Sequence, residues 1–347
     1  GIRDKLVTGV QTCALPICMP AVSVDDVLVL PRIPAPDAQA TVRPVRSVVT
    51  GLAPFEGEGF PVRRPFPGRM SLRDSDPFLL LDHMGAVEWG AGEPKGTPWH
   101  PHRGFETVTY IMDGTFLHQD THGGGGVITD GGTQWMTAGG GILHIETPPE
   151  ELVVKGGLFH GVQIWVNLPA RDKMIPPAYQ NIEAQQLTLF TSADAASLVR
   201  LIAGEIGEFR GPGSTHTPIT LAHASIPAGS RVVLPWRRDF NALVYVLAGH
   251  GTVGAAGARI AKGQLAVLDA GDVITIAGAG GDDESSDTME VLLLGGEPIN
   301  EPVAQYGPFV MNTREELVQA YEDFQRGRLG VVPPDGLRPY RGGSHHN

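Results

Sequence analysis

Two short stretches place metal-ligating residue types at strand spacing: His100-Pro-His102 and, forty-four residues after His100, His144-Ile-Glu146. Residues two apart in a β-strand share a face and lie roughly 6.6–6.8 Å apart, close enough for two imidazoles to converge on one ion. If the two strands face each other inside a barrel, three imidazoles and one carboxylate meet. That donor set suits one divalent transition metal; two or three His with one carboxylate is typical of non-haem iron(II), with Mn, Ni, Cu, Co or Zn as other occupants. The plain alternative is a set of surface strand residues with no shared ligand. Two His-x-His/Glu pairs, each hemmed by Gly and Pro, argue against it. Glu106 competes for the carboxylate role: it lies four residues past His102 and shares its face if the strand is regular. A straight strand would hold it ~13 Å away, a gap that a bend at Gly104 could shorten. Glu146 is preferred because His144 is its near neighbour.

Other histidines carry weaker signals. His118, Asp120 and His122 alternate beside four consecutive glycines, Gly123 to Gly126. They could bind a metal, but read first as a solvated hairpin end. His83 follows Leu79-Leu80-Leu81-Asp82, which places it at a strand end near a core edge, and His160 precedes a strand and could line a cavity. Both read as hydrogen-bonded structural histidines.

These side chains need strands to aim them, and the chain supplies strand patterns. Val162, Ile164, Val166 and Leu168 alternate with Gln163, Trp165 and Asn167, the period of a half-buried strand. Thr107 to Met112 is a β-branched and aromatic run ended by the turn pair Asp113-Gly114. Short strands spaced by glycine and proline turns predict an all-β sandwich or barrel. One helix stands out: Thr313-Arg-Glu-Glu316 fits a capping box, Leu317, Tyr321 and Phe324 follow at helical spacing, and Gly327 stops it. Three such side chains on one face need an apolar surface to cover, so the helix is expected to dock on a barrel. Beyond Leu329 the chain turns Pro- and Gly-rich and is expected to trail over the surface, with His345 and His346 in a loose tail.

The halves look related. Phe105, Val108, Tyr110 and Gly114 recur as Phe240, Leu243, Tyr245 and Gly249, an offset of 135 residues. That pattern predicts two copies of one β domain in tandem. The offset carries His100 and His102 onto Pro235 and Arg237, so the second copy cannot repeat the histidine site. The expected organisation is an extended arm over 1–44, a metal-binding domain over 45–180, a metal-free domain over 181–310, and a helix with its tail over 311–347.

Composition sets limits on this reading. The 347 residues carry a net charge of −12, which argues against a phosphate-tracking nucleic-acid binder. No apolar run reaches the ~18 residues that a membrane helix needs. The two cysteines, Cys13 and Cys18, precede the first methionine, Met19. Residues 1–18 lack the plan of a signal peptide and resemble the translation of a sequencing adaptor. Met19 is therefore taken as the natural start and the cytoplasm as the default compartment.

Several motifs together resemble the pirin family, the bicupins of bacteria and eukaryotes: His100-Pro-His-Arg-Gly-Phe-Glu-Thr-Val-Thr-Tyr110, Gln134-Trp-Met-Thr-Ala-Gly139, Gly141-Ile-Leu-His144, Gln163-Ile-Trp-Val-Asn-Leu-Pro169 and Gly307-Pro-Phe-Val-Met-Asn-Thr313. The resemblance runs from about Val45 to Gly330. It implies two tandem cupin barrels (double-stranded β-helix, jelly-roll) with a short C-terminal helix, and a mononuclear iron site in the first barrel held by His100, His102, His144 and Glu146. Bacterial members are associated with quercetin 2,3-dioxygenase activity, which implies a flavonol-like aromatic and dioxygen as substrates, with Glu146 as the catalytic base. Eukaryotic members act as nuclear, iron-dependent transcription co-regulators, so the alternative is a non-enzymatic regulator or redox sensor that binds a protein partner. One departure, Gly140 where many members place Arg, leaves the ligands intact and is expected to loosen the loop before His144.

Overall fold

A computed structural model of the chain describes residues 27–56, 59–280 and 288–340. The readings placed on residues 1–18, on Met19, and on His345 and His346 lie outside the described residues. Within them the runs of β-branched and aromatic residues form strands, arranged as two barrels of a large sheet and a small one. In the first, Arg63–Phe66, Phe78–Trp89, Gly157–Asn167, Phe105–Asp113, Thr133–Thr137 and Ala178–Ile182 are hydrogen-bonded in that order. Its small sheet runs Thr97–His102, Ile142–Thr147, Phe116–Asp120 and Gly125–Ile128. The second barrel repeats the plan, with Ala242–Ala248 and Met289–Gly296 at the middle of its seven-stranded sheet. The expected all-β fold of two tandem barrels closed by a helix is what the chain adopts.

The two large sheets pack against each other, so their strands are buried on both faces. Val108, Tyr110, Ile164 and Val166 of the first meet Leu221, Leu243, Tyr245 and Leu292 of the second in one apolar layer. Burial of each such side chain stabilises by about 1.5–3 kcal/mol. The sequence repeat has a counterpart here. Tyr110 stands opposite Val162, which stands opposite His83; Tyr245 stands opposite Leu292, which stands opposite His223. The two rows cross-bond: Tyr110 Oη meets His223 Nδ1 at 3.0 Å, and Tyr245 Oη meets His83 Nδ1 at 3.0 Å. His83 thus lies in mid-strand at the interface between barrels, not at a strand end. His160 lies inside the strand Gly157–Asn167, its Nε2 2.9 Å from His83 Nε2. Both are structural, hydrogen-bonded histidines. A buried imidazole or phenol costs stability when unpaired, and each here has its partner.

The chain ends cross over. Val45–Thr50 pairs with Gln264–Leu268 in the second barrel, and Ile33 of the extended lead-in is buried in the second barrel's core. The closing helix, Arg314–Gln325, starts at Thr313 with both capping-box bonds formed and ends before Gly327. It docks on the first barrel, where Phe309, Ala320 and Leu329 are buried against Leu143. Its buried stripe differs from the expected one. Ala320 and Asp323 are buried, Leu317 and Tyr321 half-buried, and Phe324 is 37% exposed. The ion pair of Asp323 Oδ2 with Arg103 Nη1, at 2.9 Å, draws position 323 inward and leaves Phe324 at the rim. Past Leu329, the described residues up to 340 lie along the first barrel, where Trp99 Nε1 donates to Leu337 O at 2.9 Å.

Candidate metal centre

All four candidate ligands sit on two neighbouring strands of the first barrel's small sheet. His144 stands directly opposite His100 in the antiparallel pair of Ile142–Thr147 with Thr97–His102. The strands lie side by side in one sheet, which corrects the expectation that they face each other across the barrel. The sheet's own twist and pleat then bring the rings together. Nε2 of His100 lies 3.1 Å from Nε2 of His102 and 2.9 Å from Nε2 of His144. One nitrogen from each of the three falls within 4.8 Å of the others. Three lone-pair donors at this separation repel one another unless a proton or a cation lies between them.

Each ring is turned so that Nδ1 points away from that centre. Nδ1 of His100 bonds Pro98 O at 2.8 Å, and Nδ1 of His102 bonds Pro308 O at 3.1 Å. Nδ1 of His144 lies 3.4 Å from Nδ1 of His118. A carbonyl fixes the proton on Nδ1 and leaves Nε2 as the donor, the arrangement that orients metal-binding histidines. Burial, with the neighbouring imidazoles adding to it for His102 and His144, holds all three rings below the ordinary histidine range. They are therefore neutral at pH 7. Nothing in the donor set conflicts with a first-row divalent ion.

Glu146 is buried on the same strand, two residues along. Its Oε1 accepts hydrogen bonds from Thr109 Oγ1 at 2.9 Å and from Gln134 Nε2, and its Oε2 accepts from Gln163 Nε2 at 2.8 Å. The carboxylate is thus outside the three-histidine group, held beside it by neutral donors. A cavity of about 50 Å³ lies against it, lined by Val62, Met84, Phe116 and Gln163 among others. That is room for a few water-sized molecules.

Glu106 is elsewhere. On Phe105–Asp113, alternation puts Glu106 with Val108 and Tyr110 on the face toward the second barrel, while Thr109 faces Glu146. Gly104, with φ +89°, breaks the run from His102, so the assumed shared face does not exist. A Cβ at Gly104 would stand 1.9 Å from Val310 O, so only glycine lets the closing segment pass there. Glu106 Oε1 accepts from Thr137 Oγ1 at 2.7 Å, and burial pushes its carboxyl up to about 7. The folded state therefore binds this proton more tightly than the unfolded chain does. Its contribution is complete at low pH and is lost as pH rises toward 7, about 3 kcal/mol in all. Glu106→Gln is expected to flatten the fall in melting temperature between pH 5 and 8 and to leave metal content unchanged. Thermal melts across that range check it; a variant with the wild-type slope would place the charge elsewhere.

The remaining candidates separate cleanly. His122 is exposed in a turn, its backbone N–H donating to Asp120 Oδ1 at 2.7 Å. His118 and Asp120 are buried beside His144 and are not a solvated hairpin end. The Gly140 loop is not loosened: Gly140 N–H donates to Ile175 O at 2.8 Å, and Arg103 Nε donates to Gly140 O at 2.7 Å. Sequence reasoning missed Pro308, whose contribution is a backbone carbonyl and leaves no residue-type signal. It also missed Gln134 and Gln163, although both stand within the quoted motifs.

Comparison with known proteins gives consistent relatives. The family model described as Pirin matches residues 59–166, and that of the Pirin C-terminal cupin domain matches residues 221–330. A Pseudomonas aeruginosa protein provisionally named a quercetin 2,3-dioxygenase is 40% identical over 274 residues, 79% of this chain and 93% of its own length. Pirin of Homo sapiens is 37% identical over 278 residues, 79% of this chain and 90% of its own. A crystal structure of quercetin 2,3-dioxygenase from Acinetobacter baumannii superposes with a TM-score of 0.77 at 36% identity, covering 84% of this chain and 99% of that one. No helix among the described residues is long and apolar enough to cross a membrane.

Proposed function

The chain belongs to the pirin family, and from that premise we propose that it is a metal-dependent dioxygenase of the quercetinase type, acting in the cytoplasm on a flavonol-like aromatic. His100, His102, His144 and Glu146 are the proposed ligands, and iron(II) the first-choice metal. The observation that carries the reading is the convergence of three Nε2 atoms whose Nδ1 atoms each face a partner on the far side of the ring. The relatives named for quercetin 2,3-dioxygenase activity support the substrate class.

A divalent metal held by these residues would supply Lewis acidity and a template for substrate and dioxygen. The protein's own side chains do the rest. Glu146 is the base for the substrate hydroxyl proton. Its Oε1 is occupied by two donors and its Oε2 by one, so Oε2 is the oxygen with capacity left for the proton or the metal. Gln134, Gln163 and Thr109 hold the carboxylate in one place, so that it is aimed before substrate arrives. His102 and His144 are buried and His100 half-buried, so the approach for substrate is on the His100 side.

Glu146→Gln tests the base. Loss of a positioned base costs about 10²–10⁴-fold, so dioxygen uptake with quercetin is expected to fall to background while metal binding weakens. A variant with wild-type turnover would remove Glu146 from the mechanism.

A further inference from the structure

Two of the three histidines are oriented by backbone carbonyls, which no substitution removes. His144 is oriented by a side chain. His118 is 2% exposed, and its ring stacks on Tyr179 with centroids 4.9 Å apart and 19° between planes. Its Nδ1 faces His144 Nδ1 at 3.4 Å, and its Nε2 lies 3.7 Å from Asp120 Oδ2. Asp120 is itself locked: Oδ1 accepts the backbone N–H groups of His122 at 2.7 Å and Gly124 at 2.9 Å. A Cβ at Gly124 would stand 2.1 Å from Asp120 Oδ2, so the glycine loop is what admits the carboxylate. Strand register explains the placement. Asp120 pairs with His144 and His118 with Glu146, on strands whose 118/120 and 144/146 pairs each share a face.

We propose that His118, steadied by Asp120, is the positioning residue for His144. The proposal rests on the metal-site reading above. With Nε2 of His144 given to a metal, the single proton of its neutral ring is on Nδ1. His118 Nδ1 must then accept that proton's hydrogen bond, which leaves the proton of His118 on Nε2, the nitrogen that faces the Asp120 carboxylate. This set of tautomers along the row turns the His118 Nε2 proton toward Asp120 Oδ2, 3.7 Å away, a charge contact longer than a hydrogen bond. The row fixes the rotation of the His144 ring and, through the carboxylate at its end, strengthens Nε2 as a donor. His118 cannot be a fourth ligand in this arrangement, because it approaches His144 from the side opposite Nε2.

The test uses the full chain, stripped by chelator and titrated with cobalt(II) as the probe, read by competition affinity and by the visible ligand-field spectrum. His118→Phe keeps the stack on Tyr179 and removes the acceptor; His118→Asn offers an amide oxygen near the Nδ1 position. The expected result is a 10–100-fold loss of cobalt affinity with an altered spectrum in His118→Phe, and recovery to within a few-fold of wild type in His118→Asn, while both metal-free variants melt near wild type. Unchanged affinity and spectrum in His118→Phe would overturn the proposal, as would equal weakening in both variants. Should His118→Phe fail to fold, His118→Asn decides alone: near-wild-type affinity and spectrum support the proposal, and their loss overturns it. A wild-type protein that binds no cobalt would instead remove the site reading itself.

Discussion

His102→Ala is expected to leave the purified protein without stoichiometric metal. The remaining His100, His144 and Glu146 offer one donor fewer than the proposed set, and Glu146 Oε1 is already taken by Thr109 and Gln134. Loss of an outer contact to a ligand costs about 10–100-fold in affinity; loss of a ligand costs more, and turnover goes with it. His102 is also 4% exposed and packs edge-on against Phe105 and Trp165, with centroids 5.0 and 5.3 Å away. His102→Phe is the companion variant: it keeps the packing and removes the donor. Elemental analysis after gel filtration checks both. Full metal content in a folded His102 variant would mean that the ion sits elsewhere, with His118 and Asp120 the next residues to replace.

Removal of residues 308–347 is expected to have an equally large effect by a different route. The deleted segment carries Pro308, whose carbonyl holds His102 Nδ1. It carries Phe309, Val310 and Leu329, each at most 1% exposed. Burial of each contributes about 1.5–3 kcal/mol, so together they rival much of a domain's net 5–15 kcal/mol. It carries Asp323, the partner of the buried Arg103 that follows the second histidine. Lys173, which donates to Gly104 O and Asn167 Oδ1 at 2.8 Å and to Val310 O at 3.1 Å, would lose one of three acceptors around a buried ammonium. Aggregation, or a folded protein without metal, is the expected outcome, although every candidate ligand remains. Size-exclusion chromatography with metal analysis reads it. A monodisperse truncated protein with full metal and an unchanged melting point would show that the segment rests on the barrel without supporting it.

The candidate ligands stood out in the sequence because each pair obeys the two-residue period of a strand. Residues at i and i+2 share a strand face whatever the strand pairs with, so His100 with His102, and His144 with Glu146, could each be paired before any topology was known, while joining the two pairs needed the strand pairing. Relations that depend on pairing were not legible in this way. Whether the two strands face each other or lie side by side is set by sheet order. Glu106 looked close to His102 until the positive φ of Gly104 interrupted the alternation. His118 carried a visible His-x-Asp pattern, but its meaning came only from the register that sets Asp120 opposite His144. The repeat around Tyr110 and Tyr245 showed two copies of a domain; that each tyrosine bonds a histidine of the other barrel required the packing of the two sheets. The helix was legible from its cap, and its buried face was misjudged at Phe324 because an ion pair to Arg103 outweighed the apolar stripe.

Oxygenase chemistry at one metal held by these histidines can be read directly in solution. Its most direct test is dioxygen consumption with quercetin, measured on metal-free protein reconstituted anaerobically with increasing iron(II). Uptake is expected to rise in proportion to bound iron, level off at one ion per chain, and be absent from the His102→Phe protein at every iron level. A protein that binds one iron through these residues and consumes no dioxygen with quercetin or another flavonol would contradict it, and would leave a metal-state regulator as the function of the same site.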